Sequence, residues 1–351
     1  MFEKTKVNRR SFITGASSAG IIGLTGCLNS TAGGNGGSSG WTLGTSSEGS
    51  SSFRIGSTWT EYAKKNDLLD VEIDAVITEG TSASYRRLDR GDFEMSGTTT
   101  QLLDTSPDQG SFEEKPLQNF DSIRQVRGYM GFYNFGLYNA DKVSGWDDLE
   151  GRPVAISSAG SGTRPPVEWL VDQEVGLDNV DNRYMAFADI PSALRSGQVD
   201  AAFTWTVNKS TPQGWFQEID ATVNWEPLSF SDSTISALNN DLSYSTHVEL
   251  GSDTVSQFSE NYQGAIDSFT LTYLYVLHKD RDPDTVYDIA KMTHEHGEDL
   301  VEEDEVMSFF PDPDAFLGTI HPDVPIHKGA YDYYKEAGLW EEYDLTAPPE
   351  A

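Results

Sequence analysis

Residues 126–138 have the sequence Val-Arg-Gly-Tyr-Met-Gly-Phe-Tyr-Asn-Phe-Gly-Leu-Tyr, an extended run that is rich in aromatic side chains. Residues 268–278, Ser-Phe-Thr-Leu-Thr-Tyr-Leu-Tyr-Val-Leu-His, form a second run in which large side chains alternate. Alternation with aromatic and β-branched residues is typical of strands. We interpret the first run as the crossing from one lobe to another and the second as the return. This predicts lobe 1 at 41–138 plus 268–345 and lobe 2 at 139–267.

Outside these runs, short apolar stretches alternate with amphipathic ones from Trp41 onward. This pattern predicts an α/β fold with largely parallel strands. The predicted strands are 41–44, 70–77, 92–97, 153–156, 184–186 and 201–203. The predicted helices are 53–64, 83–90, 165–174, 190–196, 283–297 and 329–337. No internal repeat is present in the 351 residues, which disfavours solenoids and propellers.

The charge of the chain narrows the choice of partners. The formal net charge is −32, with 24 Lys and Arg against 56 Asp and Glu. Affinity for nucleic acid depends on basic side chains that neutralise phosphate, so we expect no nucleic-acid binding. Acidic residues spread along the whole chain resemble those of proteins from salt-loving organisms, where salt screens the repulsion. The dense run Glu302–Glu305 is interpreted as one solvated acidic face.

The N-terminus has the pattern of an export signal. Asn8-Arg9-Arg10-Ser11-Phe12-Ile13 is followed by an apolar run that ends at Leu24. This run has about 12 residues, short of the roughly 20 that a spanning helix needs. The pattern predicts a twin-arginine signal peptide at residues 1–26.

Leu24-Thr25-Gly26-Cys27 resembles a lipobox, whose cysteine becomes lipid-modified after cleavage. Cys27 is the one cysteine of the sequence, so no disulfide can form within a chain. The Gly/Ser-rich residues 27–40 predict a flexible tether. We therefore expect a lipid-anchored protein at the extracellular face of the cytoplasmic membrane. The alternative is a chance cysteine at the end of a cleaved leader.

Four polar loops follow predicted strands, where ligands bind in open α/β sheets. Hydroxyls and glycine amides there can bind a carboxylate without a buried counter-charge. The alternative for each loop is a helix cap and turn. The candidate ligand-binding residues in them are Thr45, Ser46, Ser47, Ser50, Ser51, Ser52, Phe53, Thr78, Gly80, Thr81, Ser82, Thr99, Ser157, Gly160, Ser161, Gly162 and Thr163.

Other candidates flank the loops. Arg54 and Arg164 could pair with a carboxylate, although an arginine at a helix start is also compatible with solvation. Arg164 is therefore also a ligand-binding candidate. Trp205, with Thr204 and Asn208, could form a wall of the cleft, and the alternative for Trp205 is a place in the core of a lobe.

Signals for catalysis or metal binding are weak. His294 and His296 are two residues apart and would not share a helix face, so we expect no metal site there. No phosphate-binding loop, dinucleotide fingerprint or nucleophile elbow occurs, and we expect no cofactor. A lipid-anchored hydrolase that uses a loop serine with a distant histidine remains an alternative. A sensor domain that presents its ligand to a receptor kinase is another.

From about Trp41 to Tyr343 the chain resembles the TAXI-type solute-binding subunit of tripartite ATP-independent periplasmic (TRAP) transporters. The matching segments are Leu43-Gly44-Thr45 with Gly49 and Phe53, Thr78 with Gly80-Thr81, Trp146–Leu149 with Gly151, Gly160–Thr163, Ala193–Phe203, Asp284–Tyr287, and His327–Ala330 with Tyr333-Tyr334 and Glu336–Leu339.

The resemblance implies a two-lobed periplasmic-binding-protein-like fold of class II type, with the ligand cleft between the lobes. It also implies a small organic anion or glutamate-like amino acid as ligand and TRAP permease subunits as partners, with no enzymatic activity. Together with the signal and the acidic surface it indicates a lipoprotein from a halophilic archaeon. The first loop departs from the family, because it has several serines and Glu48, and Thr99 replaces a common Gln. Glu48 therefore points to solvent, or the ligand carries a cationic amine.

Overall fold

The structure is a computed structural model, and it describes residues 40–158 and 161–350. The predicted signal peptide, Cys27, most of the tether and Gly160 lie outside the described residues. Within the described ranges, no helix has both the length and the apolar composition needed to cross a bilayer.

The described strands and helices alternate along most of the chain. The strands are β1 (Trp41–Gly44), β2 (Ile73–Val76), β3 (Met95–Thr99), β4 (Ile123–Asn139), β5 (Pro153–Ser157), β6 (Asp181–Tyr184), β7 (Ala201–Val207), β8 (Thr211–Pro212), β9 (Trp225–Leu228), β10 (His247–Leu250) and β11 (Ile266–His278). The helices are α1 (Ser51–Lys65), α2 (Thr81–Asp89), α3 (Thr100–Asp104), α4 (Arg164–Glu174), α5 (Ile190–Ser196), α6 (Gly214–Thr222), α7 (Asp232–Asn240), α8 (Ser252–Val255), α9 (Pro283–Glu295), α10 (Gly297–Glu303), α11 (Pro313–Phe316) and α12 (Lys328–Glu336).

The strands form one sheet with the order β2-β1-β3-β11-β4-β7-β5-β6, to which β8, β9 and β10 add short pairings. This confirms the α/β fold class. The expectation of largely parallel strands is wrong at the centre, where β11 pairs antiparallel with β3 and β4, and β4 pairs antiparallel with β7. Parallel pairing is found between β1, β2 and β3 and between β5, β6 and β7. The two extended runs form the long strands β4 and β11. These strands are neighbours in the sheet and run in opposite directions, so their pairing is antiparallel.

Several predicted elements agree with the structure. The strand at 41–44 and the helix at 190–196 have the predicted bounds, and α4 begins one residue earlier than predicted. The sequence reading missed β9 and β10, which are only four residues long and pair with the long strands. Their short, mixed-polarity sequences carry little periodic signal.

The third predicted strand is displaced, and this changes one candidate loop. The prediction was 92–97, whereas β3 is Met95–Thr99 and every residue in it is buried. Thr98 and Thr99 pair with Leu274 and Tyr273 of β11, and the Thr99 hydroxyl accepts the Leu102 N–H at the start of α3. The predicted polar loop at 98–100 is therefore wrong, because β-branched threonines extend the strand and then cap a helix.

The buried side chains form three clusters. The largest combines residues between Leu43 and Phe132 with residues between Leu271 and Tyr334, plus Trp205 and Val207. The other two draw on residues 133–266 and 138–269. The lobe boundaries at 138/139 and 267/268 stay a prediction.

Arg127 of β4 is fully buried and anchors the C-terminal helices to the sheet. Its guanidinium donates hydrogen bonds to the carbonyl oxygens of Phe309 and Phe310 and to the Thr293 hydroxyl. It also lies 4.6 Å from the ring centroid of Phe310 and 4.0 Å from that of Phe316. Burial lowers the pKa of Arg127 to about 10, so the side chain still carries its charge at neutral pH.

Helices α9 and α12 pack closely at Gly329. A Cβ at this position would overlap the carbonyl oxygen of Pro283 and lie 2.7 Å from the backbone nitrogen of Tyr287. Both neighbours are backbone atoms that cannot rotate away. The contact therefore requires glycine at the start of α12.

We predict that Gly329→Ala lowers the free energy of unfolding by about 1 to 3 kcal/mol, the range typical of overpacking a tight contact. Gly214→Ala is the matched control, because Gly214 opens α6 and a Cβ there meets nothing within 4 Å. The control should be neutral or slightly stabilising, since alanine favours helix. Urea denaturation of both variants measures this, and equal stabilities would contradict the packing argument.

His327 is a buried histidine that must be neutral to cap α12. Its Nδ1 accepts the Gly329 N–H at 3.2 Å, and its Nε2 lies 3.2 Å from the carbonyl oxygen of Lys279. Burial lowers the pKa of His327, and it does the same for His294 and His321. A histidine with a lowered pKa stays neutral in the fold while the unfolded chain binds a proton below about pH 6.5. These groups therefore stabilise the fold above that pH, and the stabilisation is lost as the pH falls.

We predict that the melting temperature falls between pH 7.5 and pH 5.5 and that His327→Asn reduces this fall. Asparagine keeps a side-chain oxygen for the cap but takes up no proton. Both proteins share the same acidic surface, so its titration cancels in the comparison. Thermal melts at constant ionic strength test this, and an identical pH slope in the variant would refute the role of His327.

Candidate ligand-binding cavity

A cavity of about 590 Å³ lies where the polar loops of separate chain segments meet. This volume falls within the range of about 300 to 1,000 Å³ that is usual for small-molecule sites. Its lining comes from the segments after β1, β2, β5, β6 and β8 and from the strands β4, β7 and β11. The lining residues are Ser46, Ser47, Glu48, Gly49, Ser50, Ser51, Ser52, Glu79, Gly80, Thr81, Met130, Phe132, Ser158, Ser161, Gly162, Phe187, Ala188, Trp205, Gln213, Trp215 and Tyr273.

The loop between β1 and α1 forms one side of the cavity. The hydroxyl of Ser50 accepts the Phe53 N–H at 3.2 Å and so caps α1. The hydroxyl of Ser52 lies 2.7 Å from the hydroxyl of Tyr129 in β4, which fixes the first turn of the helix against the sheet. The N-terminal turn of α1 therefore opens on the cavity, with the positive end of its dipole toward any ligand.

The start of α2 lines the cavity beside that loop. Gly80 has φ of 142°, a backbone conformation that favours glycine, and Thr81 begins the helix. Thr78 supports the turn from behind, with its hydroxyl 2.8 Å from the hydroxyl of Ser84. The strand-to-helix connections after β1 and β2 thus present their backbone side by side.

The loop after β5 also lines the cavity, with Ser158, Ser161 and Gly162. Thr163 organises this loop, because its hydroxyl lies 3.0 Å from that of Ser157 and 2.8 Å from that of Ser161. Ser157 and Thr163 are buried behind the lining. Their role in the structure is to hold the loop in place.

A wall of five aromatic side chains closes the cavity, and only one of them was a candidate from the sequence. Successive ring centroids lie 4.6 Å apart for Tyr273 and Phe132, 5.1 Å for Phe132 and Trp205, 4.8 Å for Trp205 and Phe187, and 5.6 Å for Phe187 and Trp215. Phe132 and Tyr273 belong to the two extended runs. The alternation of large side chains in those runs predicts that Phe132 and Tyr273 lie in strands. It does not predict which face of each strand lines the cavity.

The structure brings together candidates from three of the four predicted loops and Trp205. Of the candidates, Ser46, Ser47, Ser50, Ser51, Ser52, Gly80, Thr81, Ser161, Gly162 and Trp205 line the cavity. Those in the described ranges that do not line it are Thr45, Phe53, Thr78, Ser82, Thr99, Ser157, Thr163, Arg164, Thr204 and Asn208. Thr45, for example, is buried and donates its hydroxyl to the carbonyl oxygen of Val76 at 2.7 Å. That any of these residues binds a ligand stays a prediction.

The candidate arginines and Asn208 have other partners. Arg54 pairs with Asp304 at 2.7 Å, and Arg164 pairs with Glu168 at 2.8 Å while its guanidinium lies 4.3 Å from the Tyr184 ring centroid. Asn208 has φ of 51°, accepts the Gly131 N–H and donates to the carbonyl oxygen of Val306. It therefore braces the turn that follows β7.

The charged side chains among the described lining residues of the cavity are all acidic. Among the described lining residues the charged side chains are Glu48 and Glu79, both exposed, and there is no Lys, Arg or His. Burial raises the pKa of Tyr273, which keeps its hydroxyl protonated as a hydrogen-bond donor. The polar groups that the described lining residues offer are therefore hydroxyls, backbone amides, the side-chain amide of Gln213 and two carboxylates.

A second, larger cavity of about 670 Å³ lies beside α2. Its lining comes from residues 86–118 only and includes both acidic and basic side chains. Arg86 within it is held by the carbonyl oxygens of Ser111 and Lys115. Because no strand ends converge there, the smaller cavity is the better candidate for a ligand-binding site.

Comparison with known proteins gives a family. A model of the NMT1-like family matches residues 43–338, most of the chain. The chain belongs to this family. The NMT1-like family lies in the periplasmic solute-binding superfamily, which indicates a solute-binding role. No curated protein matches the chain in sequence.

Similar solved structures are distant. The alkanesulfonate-binding protein SsuA from Xanthomonas axonopodis pv. citri, bound to MOPS, has 13% identity and a TM-score of 0.42, over 77% of this chain and 76% of its own. A protein from Archaeoglobus fulgidus has 12% identity and a TM-score of 0.43, over 85% and 98%. The GluR0 ligand-binding core with L-glutamate has 11% identity and a TM-score of 0.40, over 76% and 99%.

Proposed function

We propose that this NMT1-like protein is an extracytoplasmic solute-binding protein that captures a small carboxylate-bearing solute, an organic anion or an amino acid, in the 590 Å³ cavity. The observation that carries the proposal is the convergence of the loops after β1, β2 and β5 on that one cavity. Each loop belongs to a different part of the chain, and a ligand that contacts all of them links both predicted lobes. Capture by closure of the lobes is the expected mechanism.

The partner in this proposal is a TRAP-type membrane permease, as the resemblance to TAXI-type subunits implies. Lipid modification of Cys27 would hold the protein at the extracellular face of the cytoplasmic membrane after export by the twin-arginine route. The tether at 27–40 would then raise the concentration of the domain near the permease. The ligand-sensing receptor alternative shares the same cavity and differs only in the partner.

The hydrolase alternative has little support in the described part of the chain. None of the described cavity-lining residues is a histidine, and no hydrogen bond joins a serine hydroxyl to a histidine ring there. A serine nucleophile needs such a base within hydrogen-bond reach. The geometry therefore favours binding over turnover.

The test is ligand-induced stabilisation of the full chain in high salt, with a panel of amino acids and organic acids. A solute that binds only the folded state raises the free energy of unfolding, by about 2.7 kcal/mol at a hundredfold excess over Kd, and the melting temperature rises with it.

Ala188→Trp fills the cavity from an exposed lining position, and we predict that it weakens binding at least about tenfold, the loss expected when the site is blocked.

Ala186→Trp is the matched control, because Ala186 is an exposed alanine two residues away that does not line the cavity. It should bind like the unmodified protein. If no solute of the panel shifts the melt, or if both variants bind equally well, solute capture in this cavity is wrong.

A further inference from the structure

We infer that the captured solute carries a positively charged alkylammonium group that packs against the aromatic wall while its carboxylate contacts the loops at the starts of α1 and α2. This inference rests on the proposed function and narrows its ligand class from carboxylates in general to zwitterions. The cavity lining has two chemically different parts, the aromatic wall and the loops at the starts of α1 and α2, and the inference rests on both.

The charges around the cavity disfavour a ligand that is only an anion. Glu48 and Glu79 are the charged lining residues in the described ranges; Glu79 lies 3.3 Å from the guanidinium of Arg87, whereas Glu48 has no salt-bridge partner among the described residues and would repel such a ligand. The two arginines nearest to the loops in sequence already have carboxylate partners, Asp304 for Arg54 and Glu168 for Arg164. The net charge of −32 adds a negative potential that attracts cations and repels anions.

The aromatic wall offers an electron-rich surface of the kind that an alkylammonium group prefers. Ring faces carry a negative quadrupole, and cations bound by cation–π contacts need no carboxylate partner. Phe187 and Trp215 are only half-buried, so part of each ring remains accessible from the cavity. An alkylated nitrogen is weakly hydrated and loses little solvation when it leaves water for such a wall.

The polar loops of the lining suit a carboxylate. The first turns of α1 and α2 both line the cavity through Ser51, Ser52 and Thr81, so their free backbone N–H groups and helix dipoles lie at the same site. Within the wall, Trp205 has a buried indole N–H without a hydrogen-bond partner among the described residues, an unsatisfied donor that a polar ligand atom would satisfy. A zwitterion satisfies both parts of the lining, whereas a dicarboxylate satisfies only one.

Two matched pairs of probes test this inference by isothermal titration calorimetry on the full chain in high salt. Glycine betaine is compared with 3,3-dimethylbutanoate, which has the same shape but a carbon in place of the charged nitrogen. L-Glutamate is compared with glutarate, which lacks the ammonium group. We expect at least one ammonium-bearing probe to bind, and its partner to bind at least about tenfold more weakly.

The variant Trp215→Leu locates the effect on the wall. It should weaken the ammonium-bearing probe about three- to tenfold and weaken the partner that lacks the ammonium group by a clearly smaller factor, because the partner loses only apolar contact. Trp340→Leu is the control, since Trp340 is a half-buried tryptophan that packs on Tyr331 away from the cavity. A parallel melt of each variant verifies the fold.

The outcomes separate the two proposals. If 3,3-dimethylbutanoate or glutarate binds as tightly as its ammonium partner, the zwitterion inference is overturned while solute capture stands. The same holds if Trp215→Leu weakens both members of a pair equally. If none of the four probes binds but another solute of the wider panel does, an ammonium group in that solute supports the inference and its absence overturns it. If no solute of either panel binds, both proposals fail.

Discussion

The antiparallel pairing of β4 with β11 is the interaction on which the rest of the structure depends. These strands have 17 and 13 residues, lie at the centre of the sheet, and join the parallel group β1–β3 on one side to the group β5–β7 on the other. Backbone hydrogen bonds along this pair fix the position of each parallel group of strands along the sheet, and so the position of its strand ends. The loops that line the cavity converge because the groups on both sides are registered against the same two strands.

That central pair also supplies part of the cavity. Phe132 of β4 and Tyr273 of β11 have ring centroids 4.6 Å apart and continue into Trp205 of β7. The pairing shifts register between Tyr273 and Leu274, next to a lining residue. A bulge of this kind re-aims a side chain relative to its strand. The scaffold and the recognition surface are therefore built from the same residues.

Much of the fold was predictable from local sequence signals, and the site only in part. Ile190–Ser196 has a proline in its first turn and a glycine after its last residue, and its bounds were predicted correctly. Thr98 and Thr99 were placed in a loop because small polar residues suggest one, but pairing with β11 makes them strand. The polar turns after β1, β2 and β5, which line part of the cavity, were predictable from the sequence. Phe187 and Trp215 could not be assigned to it, because only the tertiary arrangement brings them next to Trp205.

Arg127 shows how a very acidic chain can keep a cation in its interior. Carbonyl dipoles, a hydroxyl and two ring faces solvate its guanidinium, and no carboxylate of the described residues pairs with it. The pair of Arg54 and Asp304, in which only the arginine is exposed, weakens as mobile ions screen it, whereas ions cannot enter the sealed environment of Arg127. The attachment of the C-terminal helices to the sheet is thus insensitive to the salt concentration of the surroundings.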